Sequence, residues 1–394
     1  MRADGDGSAV SLDAEQLAAT LQPLERASML PPEAFLDRSV LDWELSNVFA
    51  GGWICAGHVS SVREPGAFIS REVGDNAFIV VGSEDGSPRA FHNVCRHRGA
   101  RLIEEPEGRL RRRLQCPYHA WSYDFAGNLR AAPHMDEIED FDFRCFGLVE
   151  IPCRIAGGLV MVDLSGAAAP VEEQLGDLLD HLEHYSTARL LRGGIRTYAV
   201  DANWKAIAEN YSECLHCPGV HPELNALSHY ASGEDISGEG AWCGGSMILT
   251  QGGAITMGTE GGRAHGRPPI ATLEEADLPR ILYFAAFPNA LVSLHPDYVM
   301  LHTLWPREPG HTEITCEFFF EPETVARPDF DPSDAIDFWD QVNREDWHVC
   351  ELTQKGMSSP GYTPGRYSAM ESDVHDFDVM VATRYAEGLR EPVL

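Results

Sequence analysis

Residues 95–121 read CRHRGARLIEEPEGRLRRRLQCPYHAW and contain two Cys and two His in two mixed pairs. The first pair is Cys95-x-His97 and the second is Cys116-x-x-His119. Zinc fingers usually place Cys with Cys and His with His, each pair on its own turn. A loop that gives one thiolate and one imidazole instead suits a two-iron cluster, because each iron then takes the same kind of ligand from both loops.

The mixed spacing is typical of a Rieske [2Fe–2S] cluster, in which two thiolates bind one iron and two imidazoles bind the other. A tetrahedral zinc site is the alternative. Short β-branched or aromatic runs at 66–73, 76–83 and 89–94 are separated by turn sequences. The sequence therefore predicts a small antiparallel sheet that carries the ligand pairs at its loop tips.

Composition limits the kinds of partner. The chain of 394 residues has a formal charge of −31, which argues against nucleic acid or an anionic membrane, since binding phosphates needs clustered Lys and Arg. Its start, MRADGDGSAV, has no basic region before an apolar stretch, and its longest apolar run, ILYFAAFPNALVSL, is too short to span a bilayer. We therefore expect a cytoplasmic protein. Ten Cys in this length do not indicate a disulfide scaffold.

A second group of potential ligands lies in DANWKAIAENYSECLHCPGVHPEL, residues 201–224. Nothing breaks a helix between Trp204 and about His216, so the sequence predicts a helix that places Glu213 and His216 on one face. The Pro-Gly pair at 218–219 is expected to end that helix. A carboxylate and an imidazole would then lie side by side.

His221 lies just past that break, on a loop that can fold back beside His216. Two such His need one carboxylate to complete the facial triad of a non-haem Fe(II) site with open positions for O₂. The alternative is two surface His satisfied by water. The Cys214-x-x-Cys217 pair lacks the βαβ context of a thioredoxin-like redox site, so we assign it no redox role.

The two constellations together resemble the large (alpha) oxygenase subunit of the Rieske non-haem iron oxygenases, and the resemblance covers nearly the whole chain. In that family NWK, then EN, a carboxylate and two His follow one another in the catalytic stretch. The matching positions here are residues 203–205, Glu209, Asn210, Glu213, His216 and His221. The resemblance implies that Asn210 and Glu213 are catalytic and that the two His bind iron.

The resemblance also implies a third iron ligand, an Asp from a late helix. FWDQVNREDWHVCELTQKG, residues 338–356, is the candidate. Phe338, Val342 and Trp347 can line a buried face of this helix. The family spacing selects Asp346 over its neighbour Glu345. The alternative is that Asp346 is one more solvated helix charge.

Glu213 has a separate role in the resembled family. There the corresponding carboxylate bridges the second Rieske His of one subunit to a catalytic His of the next, so the resemblance implies an electron path from His119 through Glu213 to His216 in a head-to-tail homotrimer. Ring-dihydroxylating relatives usually have Asp at this position. Glu resembles the branch that oxidises quaternary ammonium compounds such as glycine betaine, choline, carnitine and stachydrine (proline betaine).

The resembled family implies an α+β fold with two domains. An all-β Rieske [2Fe–2S] domain at 41–164 would be inserted into a helix-grip catalytic domain formed by residues 1–40 and 165–394. In the catalytic domain the strand-like runs GSMILTQGG, RILYFAAFPN, ALVSLHP, YVMLHTLWP and TEITCEFFF predict an antiparallel sheet. Segments 172–190, 331–358 and 374–388 are predicted to be helices packed on it.

The expected activity is O₂-dependent hydroxylation of a carbon next to a quaternary or tertiary amine nitrogen, with release of formaldehyde from a betaine such as glycine betaine. Hydroxylation of an aromatic ring or aromatic acid is the alternative within enzymes, and a Rieske electron carrier or a zinc-stabilised binding module are other classes. No G-x-G-x-x-G fingerprint is present, so a separate NAD(P)H-dependent reductase or ferredoxin must supply electrons.

Aromatic side chains could form the substrate pocket, because a quaternary ammonium ion is recognised by aromatic faces. An aromatic substrate would use the same rings for stacking. The candidates are Trp242, Tyr283, Phe284, Phe287, Tyr298 and Trp305.

Overall fold

The computed structural model describes residue 10 and residues 12–249, 255–262 and 264–390. Most of MRADGDGSAV and residues 250–253 of the predicted strand GSMILTQGG lie outside these ranges. The chain divides into two compact units, Phe49–Val171 and the residues on either side of it. The sequence predicts domain boundaries at 41 and 164 instead. Residues 41–48 belong to the outer unit because the buried Glu44 bonds Lys205 there.

The central unit is all-β. Its strands form a five-stranded sheet in the order β5-β2-β3-β4-β9 and two three-stranded sheets, β1-β11-β10 and β6-β7-β8, all antiparallel. The strands are β1 Trp53–His58, β2 Ala67–Val73, β3 Asn76–Gly82, β4 Pro88–His92, β5 Glu107–Arg109, β6 Leu114–Gln115, β7 Ser122–Tyr123, β8 Leu129–Ala131, β9 Glu150–Ile151, β10 Cys153–Ala156 and β11 Leu159–Asp163. One hydrophobic cluster joins residues of these strands with Cys95 and Cys116. The predicted antiparallel sheet with ligand-bearing loops is thus present.

The outer unit contains one seven-stranded antiparallel sheet in the order β12-β18-β17-β16-β15-β14-β13. Its strands are β12 Leu191–Val200, β13 Glu234–Asp235, β14 Trp242–Ile248, β15 Arg280–Ala286, β16 Ala290–Leu294, β17 Val299–Glu308 and β18 His311–Phe320. Each predicted strand-like run contributes one of β14 to β18. Strands β12 and β13 were not predicted.

The α-helices in the described part of the chain are α1 Ala14–Thr20, α2 Glu33–Leu36, α3 Arg38–Glu44, α4 Val171–Leu175, α5 Leu178–His184, α6 Trp204–Tyr211, α7 Cys217–Val220, α8 Pro222–Leu227, α9 Thr259–Gly262, α10 Pro322–Val325, α11 Ser333–Met357 and α12 Ser372–Arg390. The two longest, α11 and α12, carry buried faces. Helix α11 contacts α6 and β12, and α12 contacts α6 and β14. The predicted α+β class, with an all-β unit inserted into a sheet-and-helix catalytic unit, is confirmed.

No helix in the described part of the chain is long and apolar enough to cross a membrane.

A buried ion pair joins three helices of the outer unit. Lys205 Nζ donates to Glu44 Oε1 at 2.6 Å, and both side chains are fully buried. Trp204 Nε1 donates to Glu44 Oε2 at 2.9 Å, and the Tyr385 hydroxyl donates to the same carboxylate. Burial lowers the pKa of Lys205, and the charge of Glu44 opposes that effect. The pair therefore fixes α3, α6 and α12 to one another at the cost of desolvating two charges.

We expect Lys205→Met to destabilise the protein by about 3–5 kcal/mol, because it leaves the charge of Glu44 buried without a counter-charge. Urea denaturation followed by tryptophan fluorescence measures the change. Lys355→Met is the matched control, since Lys355 is exposed and lies 4.0 Å from Glu351, and it should change stability by less than about 1 kcal/mol. Equal losses in the two variants would contradict a structural role for the buried pair.

Candidate active site

Cys95 and Cys116, the two predicted cluster ligands of the central unit, begin turns with the same hydrogen-bond pattern. The N–H of Gly99 donates to Cys95 O at 3.0 Å, and the N–H of Ala120 donates to Cys116 O at 3.1 Å. Gly99 has φ +74° and Ala120 has φ +59°, so both turns close through a left-handed residue. In both loops the left-handed residue therefore lies four positions after the Cys and closes the turn that contains the His.

The four side chains divide by burial as a two-iron cluster requires. Cys95 and Cys116 are each 2% exposed, whereas His97 is exposed and His119 is half-buried. The two imidazole rings lie 4.8 Å apart between centroids. His119 Nδ1 is buried and has no hydrogen-bond partner among the described residues, so it is available as a ligand. Two inner thiolates and two outer imidazoles fit a Rieske cluster with its His-bound iron toward the surface.

Tyr123 supports the inner thiolate ligands. Its hydroxyl lies 3.4 Å from Cys95 Sγ and accepts the N–H of Arg96 at 3.1 Å. Burial raises the pKa of Cys95, and the hydrogen bond from Tyr123 opposes that effect. A hydrogen bond to a cluster sulfur is one of the features that set the reduction potential of such clusters.

The segment with the two His departs from the predicted helix. Helix α6 ends at Tyr211, where the Ser212 hydroxyl donates to Ala208 O at 2.8 Å, rather than continuing to His216. Glu213 and His216 therefore do not share a helical face. The Glu213 carboxylate instead accepts a hydrogen bond from the backbone N–H of Leu215, two residues further along the chain. The Pro-Gly pair at 218–219 lies inside the short helix α7, because Pro is tolerated in the first turn of a helix.

The two His and Asp346 form one group of potential metal ligands. One ligand atom from each of the three residues lies within 4.8 Å of the others. His221 Nε2 is 2.7 Å and His216 Nε2 is 3.2 Å from the same atom, Asp346 Oδ1. Two imidazoles and one carboxylate are the donor set of the facial triad that holds non-haem Fe(II). The donor set and its convergence therefore fit the iron that the sequence predicts.

A second carboxylate lies behind each imidazole. Glu213 Oε1 is 2.5 Å from His216 Nδ1, and Glu345 Oε2 is 2.7 Å from His221 Nδ1. Gln341 Nε2 donates to Glu345 Oε1 at 3.0 Å and holds that side chain in place. Such outer carboxylates fix the tautomer and the orientation of a ligating His. Glu345, considered above as the competitor of Asp346, thus bonds His221 Nδ1 and is not one of the three converging residues.

The electrostatics of the group favour positive charge. Burial lowers the pKa of His216, but hydrogen bonds and charges from Asp346 and Glu213 outweigh it and raise that pKa to about 10. Burial also lowers the pKa of His221, but the hydrogen bond and charge of Asp346 and the hydrogen bond to Glu345 outweigh it and raise that pKa. A divalent cation bound there would displace these protons, because a metal needs the lone pair on each Nε2.

A disulfide joins Cys214 and Cys217, with their Cα atoms 5.1 Å apart. The sequence predicts no redox role for this pair and a helix that ends at about His216. The bond encloses Leu215 and His216 in a four-residue ring, so it restrains the backbone that carries one of the imidazoles. No disulfide was predicted here, although the Cys-x-x-Cys spacing is the sequence signal from which the bond could have been found.

A cavity of about 340 Å³ opens beside the His-His-Asp group. Asn210 lines it, as expected of a catalytic-site residue, and so does Tyr283. The other five predicted aromatic candidates are buried and do not line the cavity. Three rings that the sequence analysis did not select line it instead: Tyr211, Tyr230 and Trp339. No local pattern distinguished these rings from core residues, because the cavity lies between segments distant in sequence.

Comparison with known families decides the identity of the chain. Residues 187–387, more than half of the chain, match the ring hydroxylating alpha subunit (catalytic domain), and residues 52–142 match the Rieske [2Fe-2S] domain. The chain belongs to the ring-hydroxylating alpha subunits. It is accordingly a Rieske-type oxygenase subunit, with a [2Fe–2S] cluster in one domain and non-haem iron in the other.

Relatives of this oxygenase subunit are found in bacteria and plants. The glycine betaine monooxygenase oxygenase subunit of Chromohalobacter salexigens is 31% identical over 378 residues, covering 88% of this chain and 84% of that protein. Choline monooxygenase, chloroplastic, of Arabidopsis thaliana is 28% identical over 376 residues, covering 91% and 83%. Both relatives are similar to this chain along most of their length.

Solved structures show the shared fold. The quaternary ammonium Rieske monooxygenase CntA in complex with L-carnitine has a TM-score of 0.77 at 23% identity, covering 95% of this chain and 99% of that chain. Naphthalene 1,2-dioxygenase from Rhodococcus sp. has a TM-score of 0.78 at 20% identity, covering 96% and 98%.

We expect Asp346→Ala to abolish iron binding at the His-His-Asp group, and Glu345→Ala to weaken it by about 10- to 100-fold, because Glu345 orients His221 without reaching the iron. Iron titration of apoprotein, followed by metal analysis, separates the two. The sequence alone predicts no effect of Glu345→Ala. Glu351→Ala is the control, since Glu351 lies on α11 but contacts neither His. Equal effects at 345 and 351 would contradict the assignment.

Proposed function

We propose that this oxygenase subunit hydroxylates a carbon next to a quaternary or tertiary amine nitrogen, using O₂ and two electrons. The observation that carries the proposal is the cavity beside the His-His-Asp group, whose wall combines carboxylates with aromatic rings. Aromatic faces and carboxylates are the groups that hold an ammonium ion. The names of the glycine betaine, choline and carnitine relatives point the same way.

The proposed reaction is balanced as R₃N⁺–CH₃ + O₂ + 2e⁻ + 2H⁺ → R₃N⁺–CH₂OH + H₂O. One oxygen atom enters a C–H bond and the other leaves as water. The hydroxymethyl product then breaks its C–N bond and gives a tertiary amine, formaldehyde and one proton. The non-haem iron would supply the activation of O₂, and the [2Fe–2S] cluster would pass on the two electrons, one at a time, from a separate electron donor.

The roles of the protein groups follow from their positions. His216, His221 and Asp346 would hold the mononuclear iron, while Glu213 and Glu345 keep each Nδ1 hydrogen-bonded so that each Nε2 faces the convergence point. In the central unit, residues Cys95, His97, Cys116 and His119 would hold the cluster. The cavity orients the substrate carbon, and its aromatic wall excludes water from the reacting centre.

Glu213 is also the proposed bridge for electron transfer. Its hydrogen bond to His216 Nδ1 provides one half of the bridge. His119 of a neighbouring subunit would provide the other half in a head-to-tail homotrimer, a ring with heterologous interfaces. We further propose that electrons enter the cluster from a separate reductase or ferredoxin in the cytoplasm.

We expect formaldehyde to appear in step with O₂ uptake when the protein is given an amine substrate and a surrogate reductase. A panel of glycine betaine, choline, carnitine, tertiary amines and aromatic acids tests this. A diol or phenol formed from an aromatic acid, without formaldehyde from any amine, would transfer the assignment to a ring-hydroxylating oxygenase.

His216→Ala is the control in that assay. It removes a ligand of the mononuclear iron only, so the visible spectrum of the cluster should persist while product formation is lost. Cys116→Ala should lose the cluster spectrum. Loss of the cluster in His216→Ala would contradict two separate metal sites.

We expect Glu213→Gln to bind both metals and yet to turn over about a hundredfold more slowly, because the amide lacks the charge that holds the imidazoles on both sides. Rapid mixing with substrate and O₂ should show a normally reduced cluster that reoxidises slowly. Full activity would remove the reason to expect electron transfer through Glu213, and with it the main argument for the trimer.

A further inference from the structure

The cavity beside the His-His-Asp group has an acidic wall. Five carboxylate side chains line it, and no Lys or Arg lines it among the residues that the structure describes. The five are Glu213, Glu234, Asp235, Asp346 and Asp373. A ligand that enters this cavity therefore meets an excess of negative charge.

Three of the five carboxylates contact a His or Arg side chain of the chain. Asp346 and Glu213 contact the two imidazoles, as described above. Glu234 Oε2 lies 3.5 Å from Nη1 of the exposed Arg280, which lies 3.5 Å from Ser246 Oγ. Arg280 is thus held at the edge of the cavity by Glu234, and an incoming anion would have to compete for it.

Asp235 and Asp373 have only uncharged partners in the described part of the chain. Ser372 Oγ donates to Asp235 Oδ2 at 2.6 Å, and the backbone N–H of Gly244 donates to Asp373. Burial, and then the nearby charge of Asp235, raises the pKa of Asp373 to about 7. Two like charges are therefore held where they repel each other, and a cation between them would relieve the repulsion.

Aromatic rings on the same wall provide an independent sign of a cationic ligand. Tyr211, Tyr283 and Trp339 line the cavity together with the acidic residues. The negative face of an aromatic ring attracts an alkylammonium ion, which lacks hydrogen-bond donors to satisfy. A carboxylate group is repelled by the same faces.

We propose that the substrate is a cationic amine that carries no carboxylate, bound with its ammonium group against the Asp235 and Asp373 side of the cavity. This inference rests on the function proposed above and specifies its substrate class. A zwitterion such as a betaine or carnitine would bring its own carboxylate beside Asp235 and Asp373, and none of the described lining residues is a Lys or Arg that could neutralise it. Desolvating an anion without a cationic partner is costly, so such ligands should be disfavoured.

Calorimetric titration of the full-length holoprotein tests the inference with three small probes. Choline carries the ammonium charge alone, 3,3-dimethyl-1-butanol has the same shape without charge, and glycine betaine adds a carboxylate. We expect choline to bind at least about tenfold more tightly than either of the other two. Glycine betaine binding as tightly as choline, or more tightly, would overturn the proposal.

The variant Asp373→Asn tests whether the preference for choline depends on the charge of Asp373. It should weaken choline binding by about tenfold while changing the affinity for 3,3-dimethyl-1-butanol little, since it removes charge and keeps shape. Glu387→Gln is the matched control, because Glu387 lies on the same helix α12, is exposed, pairs with Arg384 and does not line the cavity. If Asp373→Asn fails to fold, Asp235→Asn provides the same comparison. Equal losses in the variant and its control would overturn the assignment.

The outcomes separate this inference from the proposed function. If glycine betaine binds tightly and releases formaldehyde, the carboxylate-free class is wrong while N-dealkylation stands. If no amine binds or turns over and an aromatic acid does, both proposals are wrong. Tight binding of choline, with O₂ uptake and release of formaldehyde, supports both.

Discussion

The contact on which the catalytic unit depends is the convergence of two imidazoles on one carboxylate oxygen, Asp346 Oδ1. The imidazoles follow helix α6 and the carboxylate belongs to α11, so the packing of these two helices sets the distance between them. Cys350, one turn after Asp346, is buried and donates through Sγ to Ala206 O on α6 at 3.6 Å. The packing of α11 on α6 therefore also sets the geometry of the site, because a shift of α11 would separate Asp346 from both His.

Most of the fold was predictable because antiparallel strands with buried faces have short apolar and aromatic runs between turns. Strand β12 was missed, since its pattern contains Gly193 and Gly194, which normally indicate a turn. Here the reason for glycine is packing: a Cβ on Gly194 would lie 2.2 Å from Ile336 Cδ1 on α11. The glycine lets α11 lie close against the sheet, and a requirement set by a helix more than a hundred residues away leaves no local signal.

The three candidate ligands were predictable from the sequence, but the Glu345 carboxylate that bonds His221 was not. The order of residue types, read with the family resemblance, selected the three residues that the structure brings together. The prediction of a helix through His216 was wrong. Helical periodicity does not show that a side chain will bond the backbone that follows it, as the Glu213 carboxylate does by accepting the N–H of Leu215. Glu345 and Asp346 looked like competitors because they are neighbours. On a helix, neighbours point about 100° apart, which allows them to contact opposite nitrogens of the one His221 ring.

Charge connects the metal group with the choice of substrate. Asp346, Glu213 and Glu345 surround the two imidazoles, so with neutral rings these three carboxylates would outweigh a divalent cation by one charge. Asp235 and Asp373 add to this on the cavity wall, and the whole chain carries −31. A field of one sign inside a low-dielectric cleft concentrates ligands of the opposite sign and excludes those of the same sign. In the function proposed here, the carboxylates that would orient the iron ligands thus act as well on the substrate, because their charge would favour an ammonium group near the reacting centre.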